Sequence, residues 1–442
     1  MAVRVGMISL GCTKNLVDSE VMLGLLKENG YEITPDEKDA DILIVNTCAF
    51  IDSAKQESID TINQLIRSNG KRDKKIIVAG CLAQRYGSQL EEQLGSKIHA
   101  LVGTGDFHHI LDACESVLNG KRTFSKVSQT PSYLYDHSTP RLRATPPHFA
   151  YVKIAEGCNN CCSYCIIPQV RGRYRSRTEE SVFAEVSSLV QSGVREVNLI
   201  AQDTTYYGQD LGGGVNLTSL LSKLIYIPDL QWIRILYGHP AHISDELLIL
   251  MAEEEKICSY IDLPIQHINH EILMKMGRRT TQSQIRALIS KIRSIIPDVT
   301  LRTSLIVGFP GETEQQFKEL MQFVEEAQFD HLGVFAYSAE EGTKAGDMPD
   351  QVPESIKEER LDRIAELHEL ITTEKRQRLI GQQKVALVDR GGSQAIGRTQ
   401  GQAPEIDDVV YITDGDGCER GEFVNLEIVD TCGTYDLMGR LI

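Results

Sequence analysis

The sequence predicts an α/β protein with a doubly wound parallel sheet, then an open or partial (β/α)6 barrel, then a small antiparallel β-barrel. Strand and helix patterns alternate over residues 1–120 and again over 149–373, which is typical of parallel sheets covered by helices. Residues 374–442 carry instead short β-rich runs separated by Gly and Asp turns, which is typical of a small barrel. Residues 121–148 are rich in Pro, Ser and Thr and predict a linker between the first two domains.

The composition indicates which partners, which compartment and which cysteine chemistry to expect. The 442 residues carry 62 acidic and 46 basic side chains, a net charge of −16 that repels polyanions such as RNA and attracts basic proteins. The N-terminus lacks a signal-peptide pattern, and no apolar segment is long enough to span a membrane, so a cytoplasmic protein without membrane contact is expected. In that reducing compartment, the odd count of 11 cysteines favours metal ligands or buried thiols over disulfides.

Three cysteines follow successive strands of the first domain. Strand patterns cover residues 3–10, 41–46, 75–79 and 99–102, with helices at 15–29, 52–69 and 106–119. Cys12, Cys48 and Cys81 come directly after the first three strands. Because the carboxyl ends of parallel strands share one edge, we expect these thiols to meet there. The alternative is three unrelated core cysteines, since cysteine is a common small core residue.

A second set of cysteines lies in the loop EGCNNCCSYCIIP after the first strand of the second domain. Cys158, Cys162 and Cys165 have C-x3-C-x2-C spacing, whereas the same spacing from Cys161 would need a cysteine where Pro168 stands. Three thiolates can bind three irons of a cubane cluster and leave the fourth iron open. Structural zinc would need a fourth ligand, and a disulfide would need an oxidising compartment.

The second domain should hold its chemistry at the carboxyl ends of its strands, as (β/α) barrels do. Its strand patterns cover residues 150–155, 196–201, 232–237, 260–265, 300–307 and 331–337. Polar residues follow several of these strands, and each could instead be a loop cap or turn former. These candidates are Gln202, Asp203, His239, Gln266 and His267.

Charge also characterises the C-terminal part, which follows a long charged helix pattern at 353–382. From residue 381 onward, 11 acidic and five basic side chains leave a net charge of −6. Phosphate recognition depends on Lys and Arg, so this barrel is expected to prefer a cationic protein to a nucleic acid.

The cysteine loop resembles that of radical S-adenosylmethionine (SAM) enzymes, with Tyr164 before the last cysteine. Together with the following RGRYRSR, it resembles the methylthiotransferase branch. The resemblance implies that Cys158, Cys162 and Cys165 hold a 4Fe-4S cluster whose open iron binds SAM. The segment SLIVGFPGET resembles the one lining the adenine in that superfamily.

This resemblance implies SAM-binding roles for four residues. They are Tyr164, Gln202, Ile306 and Gly308. Glu312 stands one place later than the acidic residue of the usual form. No catalytic residue beyond the cluster ligands is implied.

The rest of the chain resembles methylthiotransferases as well. SLGCTKNLVDSE, VNTCAFI and VAGCLAQRY are similar to the N-terminal methylthiotransferase domain, which implies that Cys12, Cys48 and Cys81 hold an auxiliary 4Fe-4S cluster. GRTQGQAPEID is similar to a TRAM domain, an OB-like barrel. The opening and the acidic barrel are similar to the RimO group, which modifies the β-carbon of an aspartate in the twelfth small-subunit ribosomal protein to give 3-methylthioaspartate.

The resemblance also implies partners. The substrate would be that basic protein, free or on the ribosome, and a flavodoxin or ferredoxin would donate electrons. One alternative is the same chemistry on a tRNA adenosine, as in the MiaB group. Another is a redox-inert zinc or iron–sulfur scaffold that docks on ribosomes.

Overall fold

The structure is a computed structural model that describes residues 2–69, 74–120 and 124–442. Within these ranges the first domain is a six-stranded parallel sheet with the order β2-β1-β3-β4-β5-β6. Its elements are β1 (Arg4–Ser9), α1 (Thr13–Glu28), β2 (Glu32–Ile33), β3 (Ile42–Thr47), α2 (Asp52–Asn69), β4 (Lys75–Gly80), α3 (Cys81–Leu94), β5 (Ala100–Val102), α4 (Ile110–Leu118) and β6 (Phe124–Lys126).

Two strands of this sheet have no counterpart in the sequence patterns. β2 and β6 have two and three residues, too few for a periodic pattern to emerge. β6 lies inside the segment predicted as a linker, and it pairs in parallel with β5. Residues 121–123, where that linker was predicted to begin, lie outside the described residues.

Helices cover both faces of the first sheet, so its central strands are apolar throughout. All six residues of β3 are buried, and so are five of the six in β4. This is the pattern expected for a parallel strand between two helical layers. The sheet is therefore doubly wound, as predicted.

The central domain is the predicted partial barrel. In residues 149–373, all of which are described, two three-stranded parallel sheets (β7-β10-β11 and β12-β13-β14) adjoin through an isolated bridge between Ile233 and Ile257. The short antiparallel pair β8–β9 closes the base of the cysteine loop. The elements are β7 (Phe149–Lys153), β8 (Ala155–Glu156), α5 (Ile167–Arg171), β9 (Arg175–Ser176), α6 (Glu179–Gln191), β10 (Glu196–Ile200), α7 (Leu217–Leu224), β11 (Trp232–Ile235), α8 (Asp245–Glu253), β12 (Tyr260–Asp262), α9 (His270–Lys275), α10 (Gln282–Ile295), β13 (Thr300–Val307), α11 (Glu314–Ala327), β14 (His331–Ala336) and α12 (Glu354–Gln377).

Residues 374–442, described throughout, complete α12 and then form a closed five-stranded barrel with the order β15-β16-β17-β19-β18. The expectation of a purely antiparallel barrel was wrong at one pair, because β17 and β19 run parallel where the barrel closes. The strands are β15 (Gln383–Arg390), β16 (Ile396–Thr399), β17 (Val410–Thr413), β18 (Phe423–Cys432) and β19 (Asp436–Leu441).

The first domain packs against the carboxyl-end face of the partial barrel. Arg85 on α3 donates to the Glu340 carboxylate at 2.8 Å and to the Glu341 carbonyl at 2.7 Å, both in the loop after β14. Within the central domain, Gln169 on α5 donates to the Gly342 carbonyl at 3.1 Å and holds the same loop in place. Among the described residues, no helix is long and apolar enough to cross a membrane.

Candidate functional site

The structure brings Cys12, Cys48 and Cys81 to one edge of the first sheet. Cys12 is the N-cap residue of α1 after β1, Cys48 follows β3, and Cys81 is the first residue of α3 after β4. These three strands are neighbours in the sheet. The three loops after them therefore converge at the carboxyl edge, where ligands bind in doubly wound folds.

Asn15 joins these three loops. Its Nδ2 donates to the Leu10 carbonyl at 2.9 Å and to the Thr47 carbonyl at 2.8 Å, while its Oδ1 lies 3.9 Å from Cys81 Sγ. Gly11 permits the approach of the first two loops, because a Cβ at that position would lie only 2.7 Å from Cys48 Cβ. The side chain that sets the spacing of the thiols thus comes from α1.

The electrostatics of this trio fit a cationic metal group. Burial, together with the Cys48 and Cys12 thiols, raises the pKa of Cys81 to about 12, although Arg171 opposes the shift. Burial also raises the pKa of Cys48. For Cys12 burial acts in the same direction, but Lys14, Arg171 and nearby backbone N–H groups outweigh it and lower the pKa. Three thiolates that oppose one another's ionisation become stable when each binds one iron of a cationic cluster.

Cys158, Cys162 and Cys165 form the second trio. Cys158 follows β8, and Cys165 stands just before α5. Burial raises the pKa of Cys158 to about 11 and that of Cys165 to about 12, and charges on the other thiols of the trio contribute to both shifts. Cys161 is exposed, and its Sγ contacts the Asn159 carbonyl oxygen at 3.8 Å.

Two of the predicted SAM-binding residues belong to one apolar cluster beside this trio. Tyr164 and Ile306 pack against a small buried group of aromatic and aliphatic residues that includes Phe309 and Tyr337. Burial raises the pKa of the Tyr164 hydroxyl well above its usual value, so the phenol stays neutral. A flat apolar wall of this kind suits an adenine ring.

Gly308 and Glu312 both lie in the turn after β13, where each has a structural role. Gly308 has φ +71° and lies so close to Lys357 on α12 that a Cβ would come within 2.3 Å of the lysine Cγ. Glu312 accepts hydrogen bonds from the Gly308 and Phe309 amides at 2.7 and 3.1 Å, and Arg360 donates to its other oxygen at 3.1 Å. Glu312 therefore holds the turn in shape rather than facing a ligand.

Gln202 and Asp203, both after β10, lie beside the second trio. Gln202 Nε2 donates to Glu156 Oε1 at 2.8 Å. Asp203 accepts from Asn160 of the cysteine loop at 3.0 Å and pairs with His242 at 2.8 Å. His242 was missed in the sequence, because it stands in the irregular segment between β11 and α8 and carries no strand-end pattern.

His239 and His267, two other strand-end candidates, are buried and neutral. His239 stacks on His242 with ring centroids 4.7 Å apart, and burial lowers its pKa to about 3. Burial likewise lowers the pKa of His267 to about 3, and its Nδ1 accepts from the Asn269 amide at 2.9 Å. Gln266 has a backbone φ of +76° and bridges to Leu305 of β13, so it shapes the strand end.

A buried network of four charges links the first domain to the base of the cysteine loop. Arg171 on α5 donates to Asp18 at 3.1 Å and to Glu156 at 3.0 Å, and Lys153 pairs with the same two carboxylates. Arg171 also donates to Asn15 Oδ1 at 2.8 Å. Residues of both domains thus share one hydrogen-bonded network, and each end of it reaches one cysteine trio.

Several acidic side chains of the C-terminal barrel form ion pairs inside the protein. Asp389 pairs with His148 and Arg398, Asp407 contacts Arg302, and Asp408 pairs with Arg376. The predicted excess of acidic residues is therefore smaller on the surface than the count of 11 indicates. The acidic residues exposed on the barrel are Glu405, Asp414, Asp416, Glu419, Glu422 and Asp430.

Comparison with known proteins covers nearly the whole chain. Residues 4–103 match the uncharacterized protein family UPF0004, residues 152–324 the radical SAM superfamily, and residues 380–442 the TRAM domain. The chain is 50% identical over 444 residues to the ribosomal protein uS12 methylthiotransferase RimO of Geobacter sulfurreducens, covering 99% of this chain and 98% of that one. It is 49% identical over 442 residues to the protein of the same name from Desulforamulus reducens, covering 99% of both.

Solved structures agree at the level of the fold. The radical SAM methyltransferase TsrM of Kitasatospora setae superposes with a TM-score of 0.54 at 16% identity, covering 75% of this chain and 73% of that one. The cobalamin-dependent radical SAM enzyme OxsB superposes with a TM-score of 0.50 at 13% identity, covering 84% of this chain and 56% of that one. At such identities the likeness concerns the fold alone.

Proposed function

Because the chain belongs to the family of ribosomal protein uS12 methylthiotransferases, we propose that it transfers a methylthio group to ribosomal protein uS12 in the cytoplasm. The acceptor would be the β-carbon of an aspartate, as the sequence resemblance implies. The single observation that carries this proposal is the identity of about half of all residues over 99% of the chain. The enzyme uses SAM and two 4Fe-4S clusters, which are the cofactors of this family.

We assign the two clusters to the two cysteine trios. Cys12, Cys48 and Cys81 would hold the auxiliary cluster, and the trio in the cysteine loop would hold the cluster that binds SAM. The thiolates of each trio oppose one another's ionisation, and this supports both assignments, since binding to the irons of a cationic cluster removes that opposition. When bound, these cofactors supply one-electron reduction, hydrogen abstraction and the methylthio group.

The protein's own residues would position and enclose the reactants. Tyr164 and Ile306 offer an apolar wall for the adenine, and Glu312 keeps the adjoining turn rigid. Asp203 fixes the cysteine loop through Asn160, while Gln202 approaches the same loop through Glu156. None of these roles requires proton transfer, which agrees with a homolytic reaction.

The substrate proposal is supported by the surface charge of the C-terminal barrel. Six of its acidic residues are exposed, against three exposed arginines, Arg390, Arg420 and Arg440. A field of this sign attracts a basic ribosomal protein, free or on the ribosome, and repels tRNA. A low-potential carrier such as a flavodoxin or ferredoxin would supply electrons.

A direct assay tests the function. Anaerobically reconstituted enzyme is incubated with SAM and a reductant together with uS12 or, separately, with tRNA, and mass spectrometry identifies the product. A methylthio group on uS12 is expected. Its appearance on tRNA alone would favour the MiaB-like alternative, and its absence from both would contradict an enzymatic role. The Cys162→Ser variant should be inactive, and Cys161→Ser serves as the matched control.

A further inference from the structure

Lys14 is a buried cation beside the first cysteine trio. It stands two residues after Cys12 in the first turn of α1, and only 7% of its surface is exposed. Its Nζ lies 3.1 Å from the centre of the Tyr237 ring. Tyr237 follows β11, so the lysine Nζ and this aromatic ring meet at the carboxyl-end face of the partial barrel.

The other buried cations nearby have their own anions. Lys153 and Arg171 pair with Asp18 and Glu156, so that network is electrically balanced. In the part of the chain that the structure describes, Lys14 has neither an ion pair nor a hydrogen bond to its Nζ. The aromatic face of Tyr237 attracts the ammonium group but carries no net charge that would neutralise it. The Lys14 ammonium can therefore accept an anionic group from a ligand.

Hydrogen bonds hold Tyr237, the aromatic partner of Lys14, in place. Thr13 Oγ1 lies 3.3 Å from the Tyr237 hydroxyl, and the Tyr237 amide donates to Asp262 at 2.9 Å. Tyr237 has φ +62°, an uncommon conformation for a non-glycine residue that is found at functional sites. An anion on Lys14 would therefore sit at the strand ends, within electrostatic reach of Cys12.

We propose that Lys14 binds the side-chain carboxylate of the substrate's acceptor aspartate. This inference rests on the proposed function and adds the group that recognises the acceptor. A carboxylate held by the Lys14 ammonium leaves the aspartate β-carbon one bond away, beside the trio that would hold the sulfur. A lysine in this place distinguishes aspartate from the nearly isosteric asparagine, because the amide carries no charge.

The test compares aspartate and asparagine at the acceptor position. Holoenzyme is titrated with labelled uS12 loop peptides carrying either residue, and affinity is read by fluorescence anisotropy; kcat and KM are measured with uS12 in parallel. Wild type should prefer the aspartate peptide. Lys14→Met and Lys14→Gln should reduce this preference by about 10- to 100-fold, which is the scale of one hydrogen bond to a charged group. Lys14→Arg should retain much of it.

Controls distinguish binding of the aspartate by Lys14 from a role of this lysine in holding the cluster. Lys27→Met removes an exposed lysine from the end of the same helix and should change nothing. Iron content and the electron paramagnetic resonance spectrum of each variant are recorded as well. Unchanged discrimination in Lys14→Met overturns the inference, and so does a loss of iron or an altered spectrum with discrimination retained, since Lys14 would then serve the cluster. If wild type fails to modify uS12, the proposed function itself is overturned and the assignment of the ligand with it.

Discussion

Replacing Arg171 should lower the free energy of unfolding by an amount that the structure allows us to estimate. Replacement by methionine removes a guanidinium that donates to Asp18 at 3.1 Å, to Glu156 at 3.0 Å and to Asn15 at 2.8 Å. Lys153 then faces both carboxylates, which leaves one buried negative charge uncompensated. Breaking a buried pair in this way costs about 3–5 kcal/mol. The expected loss therefore lies in that range.

Urea unfolding of anaerobically reconstituted enzyme, followed by circular dichroism, measures this loss in the free energy of unfolding. The loss is read at the transition of the first domain, because a chain of three domains need not unfold in one step. Arg173→Met, two residues away on an exposed side chain, is the matched control and should cost less than about 0.5 kcal/mol. The double variant Arg171→Met/Asp18→Asn restores charge balance and should recover at least half of the loss. A cost below about 1 kcal/mol, or a double variant no more stable than the single one, would refute the reasoning.

Three further predictions follow from the same structure. Cys162→Ser should lose the iron of one cluster by colorimetric assay, whereas Cys161→Ser should keep it; loss of iron from the latter contradicts the ligand register. His267 has a folded pKa of about 3, so below its usual pKa of 6.5 the unfolded chain takes up a proton that the folded protein refuses, and stability falls as the pH falls. His267→Gln should flatten this dependence by about 1.4 kcal/mol per pH unit between about pH 6 and pH 4 in urea titrations, and an unchanged slope counts against it. Arg398 pairs with Glu196 at 2.8 Å, so Arg398→Met should loosen the C-terminal barrel and speed limited proteolysis after α12, which exposed Arg390→Met should not do.

Much of the fold and the cysteine sites could be predicted because their signals are local. Strand and helix periods lie within a few residues, and a cysteine directly after an apolar strand is placed at the sheet edge by topology. Cys12, Cys48 and Cys81 meet as that rule requires. β2 and β6 were not predicted, because strands of two or three residues show no clear period. The parallel pairing of β17 with β19 was not predicted either, because it depends on how the barrel closes.

The sequence alone predicted two cysteine trios as iron ligands, one after the strands of the first domain and one in a single loop of the second, since thiol chemistry and loop spacing are properties of the chain itself. Only the tertiary structure decided which charges find partners. Asp407 and Asp408 look like surface charge in the sequence, yet the central domain neutralises them. Arg171 finds its anions across two domains, and Lys14 finds an aromatic face but no carboxylate in the described chain. The physical reason is that ion pairing and desolvation depend on contacts between residues that can lie more than 100 positions apart, as Arg171 and Asp18 do, and no local pattern records such contacts.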